Sequence, residues 1–464
     1  MKTFLWYDLE TFGLNPRYDR IAQAAAIRTD MDFNQIGEPI VLYAKLSPDY
    51  LPTPDSCLIT GITPQEVNEK GIPEAEMIER LRAEFMVPDT ITVGYNNINF
   101  DDEVIRSTLY RNLYDPFERE YRNRCSRWDI INLVRATRDL RPEGIVFSKL
   151  NSETNAPSFK LTDLTEENGI EQIGAHDALV DVRATIAVAK LIKEKQPKLF
   201  QWAITHRSKN EISKEIKVLN HIPFLHTCPL FVSEKGNTHP LLPLFYEAEK
   251  SAALYCFDLT HEIPESAKGS YQETGIMRLM INRCPFIAPI STLDTESEKR
   301  LGFTKAQIWD KASKAVASPV LSKESILAAK EPYEENAKDP DLTIYSSFTS
   351  DHDKGVMASI RAMKPEEKLS KGEHLFDEDK YHKLLWRQVA RNWPEALSEK
   401  DRESWKNFCA LRLINPPVEG TPTYELYMRS VEEKLESTDT DYKAKEILLK
   451  LKEYGEELFD KVIK

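Results

Sequence analysis

Two acids, Asp8 and Glu10, lie two residues apart at the end of the apolar segment Phe4–Tyr7. Such a segment is typical of a β-strand, and because side chains alternate along a strand, both carboxylates should lie on one face. Carboxylates held this close repel each other unless a cation lies between them, and their hard oxygen ligands suit Mg²⁺ or Mn²⁺. Alone the triplet is weak evidence, since acids at this spacing are also common on protein surfaces.

A second group of acids opens a helix. The segment Gly94–Asn99 ends a strand in an asparagine-rich loop, and Asp101, Asp102 and Glu103 follow Phe100. Acids in a first helical turn ordinarily complement the helix dipole, so Asp102 and Glu103 could simply face water. Asp101, directly after an apolar residue, is the better metal ligand. We therefore expect Asp101→Ala to abolish catalysis and Asp102→Ala to preserve it.

A histidine and an aspartate lie near the start of a third, helical segment, 177–194. A helix turns about 100° per residue, so positions five apart diverge by about 140° and His176 and Asp181 cannot share a helical face. We therefore place His176 before the helix, Asp177 near its N-cap and Asp181 one turn in. A histidine at such a position is commonly a cap or a surface residue. Its pKa near neutrality would also suit a general base.

Together the three segments resemble the DEDD exonuclease superfamily in its histidine subtype. Its four acids and its histidine are matched by Asp8, Glu10, Asp101, Asp181 and His176. The resemblance implies a ribonuclease H-like fold and a site in which the four acids hold two Mg²⁺ ions, with Mn²⁺ able to substitute. One ion would activate water and the other would stabilise the departing 3′-oxygen, while His176 takes the proton of the attacking water.

A closer similarity, to the bacterial exonuclease I family, extends over essentially the whole chain. The segments that carry it are Tyr7–Gly13, Leu58–Gln65, Gly94–Asn97, Arg141–Ile145, Pro157–Phe159, Thr205–Arg207, Asn282–Pro285 and Ala390–Pro394. The resemblance implies processive 3′→5′ hydrolysis of single-stranded DNA to 5′-mononucleotides in DNA repair and recombination. It also implies a partner, the acidic C-terminal tail of single-strand-binding protein. One departure is Lys160, where the family leads us to expect arginine. Lysine keeps the positive charge but cannot donate the two parallel hydrogen bonds of a guanidinium group.

The stretch from Ile105 to Arg141 has nine arginines and five acids, interleaved with aromatic residues. Arginines can neutralise phosphates while aromatic rings stack on unpaired bases, each stack contributing about 1–3 kcal/mol. An arginine-rich helical face with ordinary core aromatics would give the same pattern. The family resemblance assigns substrate contact to Glu10, Arg106, Arg135, Arg141, Phe159, Lys160 and Lys209.

Patterning along the chain predicts three regions that must position these residues. Residues 1–196 alternate strand-like and helix-like segments, which predicts an α/β domain with a mixed sheet flanked by helices. Residues 197–341 have short apolar runs between turn formers and predict a β-rich domain, an SH3-like barrel by resemblance. Residues 342–464 have apolar positions at helical spacing and predict an all-helical domain. The strands expected are Phe4–Leu9, Ile21–Arg28, Ile40–Ala44, Thr90–Gly94, Leu242–Tyr246, Ala253–Leu259 and Ile276–Ile281.

Composition sets wider bounds. A chain of 464 residues should form two or three compact units. Its formal charge of −13 is only weak evidence against nucleic-acid binding, because only the field at the binding groove must be positive. The apolar run at the start is too short for a signal peptide, and no run of about 18 apolar residues suggests a membrane span. The six cysteines are scattered without zinc-binding spacing. We expect a cytoplasmic, monomeric protein with reduced thiols.

Two alternatives remain open on sequence alone. One is another member of the superfamily, a proofreading or RNA-trimming exonuclease, because the three motifs specify the chemistry but not the sugar. The long chain beyond residue 196 argues against a small single-domain ribonuclease. The other is a non-catalytic single-strand-binding or scaffold protein, against which all five catalytic positions carry competent residues.

Overall fold

The computed structural model describes residues 1–172, 177–330, 338–372, 374–438 and 441–462. Its first region is built on a five-stranded sheet of order β3-β2-β1-β4-β5. The strands are β1 (Thr3–Thr11), β2 (Ile21–Thr29), β3 (Ile40–Tyr43), β4 (Thr90–Gly94) and β5 (Ser126–Asp129). β1 pairs antiparallel with β2 and parallel with β4. The carboxyl ends of β1 and β4 therefore meet at one edge of the sheet.

Helices cover both faces of this sheet. The α-helices between residues 54 and 215 are α1 (Pro54–Thr60), α2 (Pro64–Lys70), α3 (Glu74–Phe85), α4 (Asp101–Arg111), α5 (Ile131–Leu140), α6 (Leu161–Glu167), α7 (Ala178–Lys195), α8 (Pro197–Thr205) and α9 (Lys209–Glu215). β1 is apolar on both faces: Phe4 and Trp6 pack into the core that α7 covers, while Leu5 and Tyr7 pack towards α3 and α4. The face of Phe4 and Trp6 continues, by alternation, to Asp8 and Glu10.

The second region contains a five-stranded antiparallel sheet of order β10-β6-β7-β8-β9. Its strands are β6 (Phe224–Thr227), β7 (Thr238–Tyr246), β8 (Ala253–Asp258), β9 (Ile276–Met280) and β10 (Phe286–Pro289). Its helices are α10 (Tyr271–Thr274), α11 (Thr295–Leu301), α12 (Lys305–Val316) and α13 (Lys323–Ala329). The third region is helical throughout its described part. It comprises α14 (Asp351–Arg361), α15 (Pro365–Gly372), α16 (Asp379–Asn392), α17 (Glu399–Ile414), α18 (Tyr424–Glu436) and α19 (Tyr442–Val462).

The α/β, β-rich and helical fold classes predicted for the three regions are confirmed. Six of the seven predicted strands form within two residues of their expected ends, and the seventh, β7, begins at Thr238, four residues before the expected Leu242. The polar segment 193–198 lies almost wholly within helices, because α7 runs through Lys195 and Pro197 begins α8 at its first position. Phe200 of α8 packs against Trp128 and Phe33 of the first region. The domain boundaries at 196/197 and 341/342 stay predictions.

Two further expectations concern thiols and membranes. All six cysteines are free thiols, and five of them are buried. None of the helices in the described ranges combines the length and the apolar character that a membrane crossing requires.

A buried histidine should make the second region sensitive to acid. His226 on β6 shares a hydrogen bond of 2.9 Å with the carbonyl of Phe286, and burial lowers its pKa to about 4. The unfolded pKa is about 6.5, so between pH 6.5 and 4 the unfolded chain binds the extra proton and the free energy of unfolding falls as pH falls. The loss should reach about 3 kcal/mol, complete below the folded pKa.

Urea unfolding measured from pH 4 to 7 tests this expectation. His226→Gln should flatten the slope relative to the wild type, whereas His352→Gln, at an exposed position on α14, should leave it unchanged. A wild-type slope that persists in His226→Gln would place the acid sensitivity elsewhere.

Candidate active site

The first two acids lie at the carboxyl end of the central strand. Asp8 pairs in register with Ala25, and Glu10 with Gln23, so both carboxylates project from the same face of β1. The register shifts between Glu10 and Thr11, where the strand ends its regular pairing. Glu10 is only 8% exposed, and Asp8 is partly exposed. The strand thus fixes the two acids on rigid backbone beside an opening.

Asp181 joins them from the first turn of α7. Carboxylate oxygens of Asp8, Glu10 and Asp181 all lie within 4.8 Å of one another. Asp177 caps α7 by accepting hydrogen bonds from the backbone N–H groups of Leu179 and Val180, as the sequence predicts. The amide of Gln172 donates to Oδ1 of Asp181 at 2.7 Å and orients that carboxylate.

Asp101, the first residue of α4, completes the group of acids. Its carboxylate accepts a hydrogen bond from the backbone N–H of Leu9, the residue between Asp8 and Glu10. Asp101 is 7% exposed, and burial is the main reason that its pKa rises to about 8. The parallel pairing of β1 with β4 explains the placement, because both strands deliver their following residues to the same edge.

The group holds more negative charge than its own surroundings neutralise. Burial, followed by the charges of Asp101 and Glu10, holds the pKa of Asp8 well above its usual range. Burial and the charge of Asp181 raise the pKa of Glu10 to about 8. Several carboxylates gathered in one buried place, each raising the pKa of its neighbours, are a donor set that suits a divalent cation.

Asp102 has a different environment from Asp101. It is fully buried, and its carboxylate pairs with Arg119 and, at 2.8 Å, with Arg127. The hydroxyl of Tyr7 also donates to it at 2.5 Å. Burial by itself would raise the pKa of Asp102. The positive charges of Arg119 and Arg127 outweigh that effect and hold the pKa well below its usual range. The suggestion that Asp102 faces water is therefore wrong: it is a buried counterion.

Glu103 is also buried rather than water-facing. It pairs with Arg106 of its own helix and, at 3.2 Å, with Arg283 of the second region. Arg106 is only 5% exposed and pairs in addition with Glu120 at 2.7 Å. The two carboxylate partners already neutralise the charge of Arg106, and this geometry does not favour a contact with DNA. The assignment of Arg106 to DNA contact stays a prediction.

The arginine-rich stretch is thus turned inward in part. Four of its arginines have buried side chains engaged with acids, namely Arg106, Arg111, Arg119 and Arg127. These contacts agree with a structural role for the four arginines. The single helical face that the sequence left open is not what forms, because Arg106 and Arg111 lie on α4 whereas Arg127 lies on β5.

The other residues predicted to contact DNA lie in several environments. Arg135 is half-buried, with its guanidinium carbon 5.8 Å from the ring centroid of Phe159. Lys160 is exposed at the start of α6. Arg141 donates to the carbonyl of Thr292 at 2.7 Å and lies 3.1 Å from Asp294, and Lys209 donates to the carbonyl of Lys250 at 2.6 Å. The structure therefore leaves Arg135, Phe159 and Lys160 grouped and commits Arg141 and Lys209 to contacts with the second region.

A groove lies between the first and second regions. Its volume is about 270 Å³, and its polar lining includes Asn96, Asn99, Asn132, Arg135, Arg278 and Arg283. The carboxylate of Asp129 holds the asparagine loop by accepting from the backbone N–H groups of Asn96 and Ile98 at 2.9 and 3.2 Å. Amide and guanidinium donors from both regions therefore line this groove.

His176 lies outside the described residues, so its assignment as general base stays a prediction. Sequence reasoning missed three residues that shape the site: Gln172, Asp129 and Arg283. Gln172 carries no motif. Asp129 ends β5 and Arg283 falls within Asn282–Pro285, so strand-end position and family resemblance could have pointed to these two.

Family models match three consecutive parts of the chain. A model described as "Exonuclease" matches residues 5–189, one described as "Exonuclease I SH3-like domain" matches 207–328, and one described as "Exonuclease I C-terminal domain" matches 338–458. They confirm the predicted exonuclease fold and the SH3-like character of the second region.

Similar whole proteins point the same way. The chain is 40% identical over 437 residues to exodeoxyribonuclease I of Haemophilus influenzae, covering 90% of this chain and 92% of the relative. It superposes on Escherichia coli exonuclease I in complex with a dA16 oligonucleotide with a TM-score of 0.92 and 36% identity, covering 99% of this chain and 100% of the other. A zinc-bound form of the Escherichia coli enzyme with single-stranded DNA gives a TM-score of 0.90 at 35% identity, with the same coverage.

Proposed function

This chain belongs to the exonuclease I family, and from that premise we propose that it degrades single-stranded DNA processively from the 3′ end, releasing 5′-mononucleotides. As a member of this family it is a nuclease enzyme. The observation that carries the finer proposal is the convergence of the Asp8, Glu10 and Asp181 carboxylates within 4.8 Å, with Asp101 beside them.

The residues present fit divalent metal ions. The donor set consists of carboxylate oxygens on rigid elements, the set preferred by Mg²⁺, with Mn²⁺ able to substitute. Burial, and after it the charges of neighbouring acids, raises the pKa of both Glu10 and Asp101 to about 8, and a bound cation would favour their charged forms. Asp8, Glu10, Asp101 and Asp181 would hold two Mg²⁺ ions, which would supply an activated water and stabilise the departing 3′-oxygen.

The chain's own residues have separate tasks in this reaction. The backbone N–H of Leu9 and the amide of Gln172 fix the carboxylates of Asp101 and Asp181, so the acids need little reorganisation when a strand end arrives. His176 takes the proton from the attacking water. The buried ion pair of Asp102 and Arg119 stabilises the start of α4, and Asp102 does not contact the substrate.

The strand itself would approach through the groove between the first and second regions. Arg135 and Arg283 would meet phosphates, and Phe159 offers a ring on which an unpaired base can stack. Lys160 would add charge at the rim. Enclosure of one strand by three regions of the chain would explain both strand selectivity and processivity.

We extend the proposal to the setting of the enzyme. It acts as a cytoplasmic monomer in DNA repair and recombination, and it docks the acidic C-terminal tail of single-strand-binding protein. Titration with a peptide of that tail, against a scrambled peptide of equal charge, tests the partner; equal binding of both would reject it.

The direct test is digestion of 5′-labelled single-stranded DNA, with duplex DNA and single-stranded RNA in parallel, in the presence of Mg²⁺ or a chelator. We expect stepwise shortening of the single-stranded DNA from its 3′ end, release of 5′-mononucleotides, and loss of activity with the chelator. A long substrate chased with unlabelled competitor measures processivity.

The other outcomes separate the alternatives. Faster cleavage of RNA would favour the RNA-trimming function. Tight binding without cleavage in any metal would favour the non-catalytic single-strand-binding protein.

A further inference from the structure

A second cavity, remote from the group of acids, lies between the first region and the helical third region. Its volume is about 530 Å³, within the usual range for small-molecule sites. The first region contributes Arg20, Lys45 and the start of α3, and the third region contributes residues of α16, α17 and α19. Anything bound here would touch both regions at once.

The wall of this cavity includes a buried guanidinium with an unused edge. Arg20 is 4% exposed, and its Nη1 donates to the carbonyl of Tyr18 at 3.0 Å. Its Nε and Nη2 have no hydrogen-bond partner. These two atoms form the side of the guanidinium that binds a carboxylate or phosphate in bidentate fashion. Buried polar groups in proteins are normally hydrogen-bonded, so these two unpaired N–H groups indicate room for an anionic acceptor.

The acids near Arg20 are already used by other arginines. Asp49 lies 4.0 Å from Nη2 of Arg20, but it accepts two hydrogen bonds from Arg391, the closer at 2.8 Å. Glu74 is held by Arg111, with Nη2 to Oε2 at 2.7 Å. Burial and the charges of Arg111 and Arg391 lower the pKa of Arg20 to about 10, which is the direction expected for a cation short of an anion.

The rest of the lining is cationic and has another unused donor. Six of the lining residues are basic, namely Arg20, Lys45, Arg391, Arg402, Lys406 and Lys461, against the two acids Glu74 and Glu395. Trp405 is 6% exposed, and its indole Nε1 has no hydrogen-bond partner. Among the described residues, no carboxylate lies within 4.0 Å of the ammonium groups of Lys406 and Lys461.

We propose that this cavity is an anion site for a phosphate group, bound by the free edge of Arg20 and the indole of Trp405 and bridging the first and third regions. A phosphate has three or more acceptor oxygens, which is enough acceptors for the two N–H groups of the Arg20 edge and the indole N–H, and the lysines that line the cavity would balance its charge. The group can come from free phosphate or from the phosphomonoester of a nucleotide. The inference does not depend on the proposed nuclease function, because the catalytic acids take no part in it.

Calorimetric titration of the full chain tests the proposal, in chelator-treated buffer at constant ionic strength. Inorganic phosphate and adenosine 5′-monophosphate are the probes, with chloride as the reference salt. We expect saturable binding of one phosphate per chain and a higher unfolding temperature in its presence. Tighter binding of the monophosphate would identify a nucleotide as the source, and equal binding would identify free phosphate.

Matched variants locate the binding. Trp405→Phe removes the indole N–H but keeps an aromatic ring, and should weaken binding several-fold, while Trp309→Phe, the same change at an exposed position on α12, should not. Arg20→Lys keeps the charge but loses the two-pronged edge, and should weaken binding about tenfold. If Arg20→Lys fails to fold, Lys461→Gln against the exposed Lys299→Gln gives the same comparison. Absence of saturable binding, or equal affinity in wild type and Trp405→Phe, would overturn the proposal.

Discussion

Asp8→Asn should abolish DNA cleavage while leaving the protein folded. The substitution keeps the shape of the side chain but removes a charge that the proposed metal ions need. Cleavage should fall by roughly a thousandfold or more, on the scale seen when transition-state charge stabilisation is lost. Initial rates on 5′-labelled single-stranded DNA at saturating Mg²⁺ measure it.

The same variant should gain stability when metal is absent. Burial, and after it the charges of Asp101 and Glu10, raises the pKa of Asp8, so a neutral amide at this position avoids both the burial of a charge and the repulsion. The unfolding temperature of Asp8→Asn in chelator should therefore equal or exceed that of the wild type. Added Mg²⁺ should raise the unfolding temperature of the wild type more than that of the variant.

The control is Asp32→Asn, an exposed acid of the first region paired with Lys193 at 2.8 Å. It should keep both its cleavage rate and its response to Mg²⁺. Full activity in Asp8→Asn would remove Asp8 from the metal site. Lost activity with lost structure would mean that the carboxylate has a folding role instead.

Sequence pattern was sufficient for the parts of this protein that depend on local periodicity. Alternation along β1 places Asp8 and Glu10 on one face, and Asp177 caps α7 one turn before Asp181. These placements follow from backbone geometry over a few residues. They hold whatever else packs around them, and the family resemblance then names the chemistry.

Contacts between distant residues could not be predicted in this way. Asp101 and Asp102 are neighbours in the first turn of α4, yet one faces the group of acids and the other pairs with Arg119 and Arg127. Nothing within the turn distinguishes them. The sequence suggested that the arginines contact DNA, because the acids that neutralise them lie far away along the chain. Glu74, for example, pairs with Arg111. The cavity around Arg20 likewise needs the packing of the third region against the first.

Asp102→Ala should destabilise the first region strongly, although its neighbour is the proposed ligand. Its carboxylate is fully buried, and removing it leaves Arg119, which is itself 0% exposed, without its counterion. Breaking one partner out of a buried ion pair costs about 3–5 kcal/mol because an uncompensated charge remains. Arg127 retains Glu120 at 3.2 Å, so the loss falls mainly on Arg119. Urea unfolding monitored by circular dichroism measures it.

This expectation revises the one drawn from sequence, in which Asp102→Ala preserves catalysis. Activity should now fall with the folded fraction and recover at low temperature, whereas Asp101→Ala should stay inactive at every temperature while folded. Asp351→Ala is the matched control, since Asp351 also lies in the first turn of a helix, α14, but is exposed, so its loss should be under about 1 kcal/mol. A folded, inactive Asp102→Ala would mean that the second acid, and not the first, takes part in the chemistry. A fully stable and active one would mean that water reaches Arg119 and replaces the lost counterion.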